Sequence, residues 1–345
     1  MRRSESPDRI EAVLYSQSLY SGKFTAVEDL QDRPAKRWGG QSIKDRLQPL
    51  LYWFLRRAPG PVALFPFHAI VFLMNSIYWL QRNPLRRSCE ALCELARRSS
   101  IELQPRRVYR QYLSNVLSAA RAYRQLLRND ADKVLARVDA SDIRRVIDSG
   151  NLGDGEAFML FVPHNLAAIV GGVALTRMLP ILIVARNSKT IRRTKLALEV
   201  YERIGARILM VRGGSPIEIS RAMFSALDDG QVLVATVDNV DPGFGVDATI
   251  FGTEVEFAPW AARIAVKRGV PIVPAYFRSA EGGVRVVCGE PLVTTDPAVA
   301  IQHYVSFFER CILEDPASWA YLMDRKWSRV MRRAAEAVAD QEPSR

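Results

Sequence analysis

The sequence is poor in cysteine and histidine, and this excludes several classes of protein. Its 345 residues include 4 cysteines and 3 histidines. Cys89, Cys93, Cys288 and Cys311 have the spacing neither of a disulfide framework nor of a zinc site. A chain of this length can bury a full hydrophobic core, so it needs no such cross-link for stability. We therefore expect no metal ion and no disulfide scaffold.

Acidic side chains are outnumbered by basic ones, and most of the basic ones are arginine. The chain has 37 Asp and Glu against 48 Lys and Arg, a net charge of +11, and 8 of the 48 are lysine. Arginine favours bidentate contacts with phosphate and carboxylate groups. The composition predicts an anionic partner such as a membrane surface, an acidic carrier protein or a phosphorylated substrate, although a solvated basic surface is an equally good reading. Without a helix-turn-helix, zinc-finger or RNP motif, we expect no nucleic acid.

Long apolar runs are scarce, and one stretch without charge bears on membranes. Residues 61–80 read PVALFPFHAIVFLMNSIYWL. Pro61 and Pro66 are expected to break the first turns, which would leave 67–80, a segment too short to span a bilayer. Arginines flank the stretch on both sides: Arg56, Arg57, Arg82, Arg86 and Arg87. The pattern predicts a segment that lies in the interface of an anionic leaflet, with a buried core helix as the alternative. Whether 61–80 spans the bilayer stays open.

The pattern of hydrophobic residues divides the chain into four parts. Residues 1–45 are predicted to be a loosely ordered arm, 46–150 a helical membrane-associating region, 151–332 an α/β domain and 333–345 a tail. Short apolar runs alternate with helical patterns in the third part, which indicates an α/β fold with a mainly parallel central sheet flanked by helices. The predicted strands are 157–162, 181–185, 207–211, 231–237 and 271–277, with 283–289 as an edge strand. The predicted helices include 67–81, 106–129, 131–148, 166–178, 215–229, 258–268, 294–313 and 316–332.

Two polar residues follow predicted strands and would lie at the same edge of the sheet if the sheet is parallel. His164 comes just after the run AFMLFV (157–162), and Asp238 comes directly after the run QVLVATV (231–237). Active sites of open α/β sheets gather at the carboxyl ends of the strands, where a histidine can act as a general base. Asp238 could orient that histidine, bind a cation or cap the turn that follows it. The alternative for His164 is a capping or packed residue.

A second set of residues could bind an anion at the same edge. Arg186 and Asn187 follow the strand ILIVA, and Gly213 and Gly214 follow RILMV. Arginine binds phosphate or carboxylate, and two glycines before a helix can expose backbone N–H groups to an anion. The glycines match neither GxGxxG nor a Walker motif, and the neighbouring Ser215 is equally well explained as a helix cap.

The order of these pieces resembles the lipid A late acyltransferases, the lauroyl/myristoyl acyltransferases of the lysophospholipid acyltransferase-like group. The resemblance runs from about residue 50 to residue 329. It is carried by PHNLAA, VARN, YERIGARILMVRGG, the DQ-like pair at 238 and 239, IFGTEVEFAPWAARIAVKRGVPIVPAYF and DPASWAYLMDRKW.

The resemblance implies an α/β fold with a membrane-associated N-terminal helix. It also implies transfer of a fatty acyl chain from an acyl carrier protein or coenzyme A thioester to a lipid or glycolipid acceptor, at the cytoplasmic face of a bacterial inner membrane. Attachment there would be peripheral or through a single helix. In the family's H-x4-D/E motif the histidine takes the acceptor's proton and the acid orients the histidine.

This sequence departs from that motif, because Ile169 stands where the acid is expected. Isoleucine cannot accept the imidazole N–H. Either another group such as Asp238 orients His164, or the acceptor makes a smaller demand on the base, or the protein binds lipid or acyl carrier protein without catalysis. A carboxylate oxygen within hydrogen-bond reach of His164 would favour catalysis, whereas an apolar shell around the imidazole would favour binding.

We therefore predict a membrane-associated acyltransferase without metal or cofactor, for which the acyl thioester is a co-substrate. His164 and Asp238 are the predicted catalytic residues. The predicted substrate-binding residues are Asn165, Arg186, Asn187, Gly213 and Gly214.

Overall fold

The described part of the chain covers most of the sequence. The structure, a computed structural model, describes residues 50–128, 130–150, 157–185, 205–211, 216–240, 245–280 and 282–339, together with residues 47, 152, 197–198, 201–202 and 243. The predicted arm 1–45 and the substrate-binding residues Arg186, Asn187, Gly213 and Gly214 lie outside these residues.

A seven-stranded sheet forms the centre of the fold, in the order β1-β9-β8-β2-β5-β3-β4. Its strands are β1 (Val138–Asp139), β2 (Met159–Val162), β3 (Ile181–Ala185), β4 (Ile208–Met210), β5 (Val232–Thr236), β8 (Ile272–Ala280) and β9 (Gly283–Cys288), and a separate hairpin consists of β6 (Val246–Ile250) and β7 (Thr253–Phe257). The five strands from β8 to β4 run parallel to one another. The prediction of an α/β fold with a mainly parallel sheet is therefore confirmed.

Strand β9 is antiparallel to β8 but does not lie at the edge of the sheet. Its other side pairs in parallel with the two-residue strand β1, through Val138 opposite Val284. The prediction of an edge strand at 283–289 is wrong for this reason. Strand β1 also divides the predicted helix 131–148 in two, and two residues are too few to produce a recognisable hydrophobic pattern.

Helices cover both faces of the sheet. They are α1 (Gly60–Ser76), α2 (Pro84–Arg98), α3 (Pro105–Leu127), α4 (Ala131–Leu135), α5 (Ser141–Asp148), α6 (Ala168–Thr176), α7 (Pro216–Asp228), α8 (Trp260–Arg268), α9 (Pro297–Glu314) and α10 (Arg325–Ala339). Residues 50–57 are also helical. The predicted helix 316–332 is wrong over its first half, because two short 3-10 turns, Pro316–Ser318 and Ala320–Met323, precede α10.

The strands are buried on both sides because successive side chains point to opposite faces. In β2, Met159 and Phe161 join a core cluster that includes residues of α2, α3 and α7 to α10. Leu160 and Val162 join the opposite cluster with residues of α5 and α6. The continuous apolar run of β2 is therefore that of a strand covered by helices on both faces.

Helix α6 packs very close to the sheet, and this fixes the chain immediately after His164. A Cβ at Gly171 would clash with the ring of Phe277 on β8. Only glycine permits this approach of helix to strand, so substitution of Gly171 would force α6 and the loop before it away from the sheet.

Helix α1 begins earlier than predicted. It starts at Gly60, with Pro61 in its first turn and Pro66 in its interior, and it ends at Ser76 rather than at residue 81. Proline is tolerated in a first helical turn, where the backbone N–H has no intrahelical partner. The prediction that Pro61 and Pro66 break the helix is therefore wrong.

The surface of α1 is unusually apolar. Ala63 is its one buried residue, and Phe65 and Phe72 are 69% and 75% exposed. Trp79, just beyond the helix, is 66% exposed. In the part of the chain that the structure describes, no helix has both the length and the hydrophobicity needed to cross a membrane.

Candidate active site

His164 and Asp238 lie side by side at the carboxyl edge of the sheet. Strands β2 and β5 are parallel neighbours, with Val162 opposite Thr236. His164 lies two positions after Val162, and Asp238 lies two positions after Thr236. The register of the two strands therefore places these two residues opposite each other. The predicted proximity of His164 and Asp238 is a direct consequence of this topology.

The two side chains form a short hydrogen bond. His164 Nδ1 lies 2.5 Å from Asp238 Oδ1. The Asp238 side chain is 3% exposed and the His164 side chain is 32% exposed. Since a carboxylate accepts and does not donate, Nδ1 is the nitrogen that carries the proton in the neutral imidazole, and Nε2, with its lone pair, faces the accessible side. This is the tautomer that a general base requires.

Three donors hold the Asp238 carboxylate in place. Besides the imidazole, the His164 backbone N–H donates to Oδ2 over 2.9 Å, and Trp319 Nε1 donates to Oδ2 over 3.0 Å. Trp327 Nε1 donates to the Asp238 backbone carbonyl over 3.0 Å. A buried carboxylate is tolerated when its oxygens are hydrogen-bonded, so this set of donors explains how Asp238 remains inside the protein.

The segment 316–327 encloses the His164–Asp238 pair. The Ala320 backbone N–H donates to the His164 carbonyl over 2.6 Å, and the Leu166 N–H donates to the Ser318 carbonyl over 2.9 Å. Trp319 packs edge-on against Trp327, with ring centroids 5.0 Å apart. The motif DPASWAYLMDRKW therefore belongs to the same site as His164, although more than 150 residues separate them along the chain.

Tyr321 is a site residue that the sequence reasoning missed. Its hydroxyl lies 3.1 Å from His164 Nε2, and its ring stacks on the imidazole with centroids 4.2 Å apart. Burial, reinforced by the nearby Asp238 and Asp324, raises the pKa of Tyr321 well above its usual value. The one signal in the sequence was its position inside DPASWAYLMDRKW, since nothing local links it to a residue on β2.

The other predicted site residues have different surroundings. Asn165 is 6% exposed, and its amide is bonded within the protein to the Phe277 N–H and the Ser318 carbonyl. Its role in substrate binding stays a prediction, and its observed role is to tie the His164 loop to β8. Ile169, on the first turn of α6, is 38% exposed. The carboxylate that contacts His164 comes instead from Asp238, which follows β5.

The fold and the site define a class: an α/β protein with a hydrogen-bonded histidine–carboxylate pair at the carboxyl edge of its sheet. Residues 45–329 match the family described as bacterial lipid A biosynthesis acyltransferase. No curated protein matches the sequence. Because the match covers most of the chain, the protein belongs to the lipid A biosynthesis acyltransferase family. Membership supports acyltransferase activity in general.

Proposed function

We propose that the protein transfers a fatty acyl chain from an acyl thioester to a lipid or glycolipid acceptor, with His164 as the general base. The observation that carries the proposal is the 2.5 Å contact between His164 Nδ1 and Asp238 Oδ1. By supplying the carboxylate that position 169 lacks, Asp238 restores the arrangement that the family's chemistry needs. A non-catalytic binding protein would not require this tautomer of the imidazole.

The reaction follows from the state of the two ring nitrogens. Nε2 takes the proton of the acceptor hydroxyl as the acceptor oxygen attacks the thioester carbonyl carbon. Asp238 holds Nδ1–H and stabilises the imidazolium that forms. The tetrahedral intermediate then expels the thiolate, which takes the proton from Nε2, and the ester product and free thiol leave. The roles of Arg186 and Asn187 in binding a phosphate, and of the Gly213 and Gly214 N–H groups in oxyanion binding, stay predictions.

For the location of the protein we propose peripheral association with the cytoplasmic face of a bacterial inner membrane. The exposed apolar side chains of α1 support this, since a cluster of exposed apolar side chains marks an interaction site. Cation–π contacts from Arg106 to Tyr78 and Trp79 place charge beside aromatic rings next to this surface. Such a combination suits the boundary between acyl chains and anionic head groups.

For the donor we propose an acyl carrier protein or coenzyme A thioester. Helix α10 presents five exposed cations: Arg325, Lys326, Arg329, Arg332 and Arg333. Its apolar residues Trp327 and Met331 are buried, so this face offers charge rather than hydrophobic surface. The helix begins next to the site, where Lys326 Nζ donates to the Val240 carbonyl over 3.0 Å. Both donors are anionic and fit such a face.

The test is acyl transfer by the purified protein from a panel of acyl carrier protein and coenzyme A thioesters to extracted bacterial membrane lipids. His164→Ala is expected to lower turnover by about 10²–10⁴, the usual contribution of a general base. His303→Ala is the matched control, because the His303 ring bonds the Glu290 carbonyl and lies outside the site. Absence of turnover with every donor, in wild-type protein that still binds lipid, would refute the enzymatic proposal and support the catalytically degenerate binding protein.

A further inference from the structure

Tyr321 makes two contacts with His164 that belong to different parts of its side chain. The rings are 21° from parallel with centroids 4.2 Å apart, and the hydroxyl lies 3.1 Å from Nε2. If the hydroxyl bonded to the nitrogen in the plane of the imidazole, the two rings would lie end to end and their centroids would be much farther apart. The hydroxyl is therefore above the imidazole plane, close to Nε2 but outside the direction of its lone pair.

This placement leaves the base open while setting a polar group beside it. An acceptor oxygen that bonds to the Nε2 lone pair approaches in the plane of the ring. The Tyr321 hydroxyl, 3.1 Å from the same nitrogen, then borders the space that the acceptor oxygen and the carbonyl under attack must occupy. The ring of Tyr321 meanwhile supports the imidazole from one side.

The state of the hydroxyl suits a hydrogen-bond donor. Burial raises the pKa of Tyr321 above its usual value, so the phenol keeps its proton at neutral pH. Among the described residues, the hydroxyl has a second acceptor in Asn239 Oδ1, at 3.5 Å. A contact of this length is weak, and exchanging it for a charged oxygen would be favourable.

We propose that Tyr321 is a further catalytic residue, whose hydroxyl donates a hydrogen bond to the thioester carbonyl oxygen as that oxygen becomes negative. The inference rests on the proposed acyl transfer. When the acceptor oxygen bonds to the carbonyl carbon, the π electrons of the carbonyl move to its oxygen, and the acceptor proton goes to Nε2. The Tyr321 proton stays on its own oxygen throughout. Collapse of the intermediate restores the carbonyl, expels the thiolate and releases the hydrogen bond.

The substitution Tyr321→Phe distinguishes the role of the hydroxyl from the role of the ring. It removes the donor and keeps the stacking, so the imidazole stays supported. We expect the plateau kcat to fall by about 10²–10³, the usual effect of removing one oxyanion donor, with little change in KM. The acidic limb of the pH–rate profile, which reports protonation of the base, should stay in place because the lone pair of Nε2 is untouched. A 3-fluorotyrosine at position 321 keeps the hydroxyl and should retain at least half of the wild-type turnover.

Tyr112→Phe is the matched control. Tyr112 donates to the carbonyl of Ala320, on the same turn as Tyr321, and it does not contact His164. Its turnover should stay within about threefold of wild type, as expected for the loss of one neutral hydrogen bond outside the reacting atoms.

Each outcome decides the matter. An active wild-type enzyme whose Tyr321→Phe variant keeps more than a third of its kcat would overturn the inference. So would an unchanged plateau with a shifted acidic limb, since the hydroxyl would then act through His164 alone. If Tyr321→Phe melts at a much lower temperature than wild type, its kcat is measured at a temperature where the variant is folded, and the same threshold applies. Loss of turnover in the 3-fluorotyrosine protein would also count against the hydroxyl as donor. An inactive wild-type protein would remove the proposed function itself, and this inference with it.

Discussion

Replacement of Asp238 by asparagine gives the sharpest test of the site, because the geometry predicts which way the amide will turn. The carboxylate faces three donors: His164 Nδ1–H on one oxygen, and the His164 backbone N–H and Trp319 Nε1–H on the other. An amide has one oxygen. With its NH₂ toward the two N–H groups, it would leave two buried donors unsatisfied, each at a cost of about 1–3 kcal/mol.

The opposite orientation is therefore expected in Asp238→Asn. The amide oxygen keeps the His164 N–H and Trp319 Nε1–H, and the NH₂ donates to Nδ1. The imidazole must then carry its proton on Nε2, where it can no longer accept one from the acceptor. Stability should change little, whereas kcat should fall by about 10⁴, as it does in serine proteases when the same tautomer is imposed.

Two measurements check this reasoning. Thermal melting should give nearly the same midpoint for wild type and variant, and ¹⁵N NMR of the His164 ring should show the proton moving from Nδ1 to Nε2. Asp315→Asn is the matched control, since Asp315 accepts from the Ser318 hydroxyl, which can rotate to suit an amide. A variant at position 238 that keeps its activity within tenfold of wild type would refute the role of Asp238 as the orienting acid.

Two further predictions concern the surfaces. Phe65→Asp with Phe72→Asp should abolish flotation with vesicles that contain anionic phospholipid, yet leave the melting temperature unchanged, because both side chains are largely exposed. Flotation equal to that of wild type would contradict membrane docking through α1. Arg329→Glu with Arg332→Glu should raise KM for an acyl carrier protein thioester at least several-fold, and the effect should shrink at high salt because the charges are exposed. An unchanged KM at low salt would contradict donor binding at α10.

The sheet was predictable because its strands are buried on both faces. The apolar runs at 157–162, 181–185 and 231–237 coincide with β2, β3 and β5 to within two residues. The prolines do not predict where α1 begins, because Pro61 occupies its first turn and Pro66 is tolerated inside it. Strand β1 was not predictable because its two residues are too few to show the alternation of apolar and polar residues that indicates a strand.

The part of the candidate site that depends on the topology of the sheet was predictable from the sequence. Parallel pairing of β2 and β5 brings His164 and Asp238 together, so two strand ends sufficed to find them. Tyr321 is 157 positions from His164 and lies on a 3-10 turn with no hydrophobic period. The position of Tyr321 beside His164 depends on how the segment 316–327 folds back over the sheet. The local hydrophobic pattern does not encode this.

Because residues 316–327 enclose the site, the site can be completed only late in the synthesis of the chain. Synthesis proceeds from the N-terminus, so β2 and β5 exist well before Trp319, Tyr321 and Trp327 are made. Until those residues emerge from the ribosome, Asp238 lacks its Trp319 donor and the His164 carbonyl lacks the Ala320 N–H. A nascent chain therefore displays its apolar helix α1 before its base is assembled. A protein truncated shortly before residue 316 would be left in that state permanently.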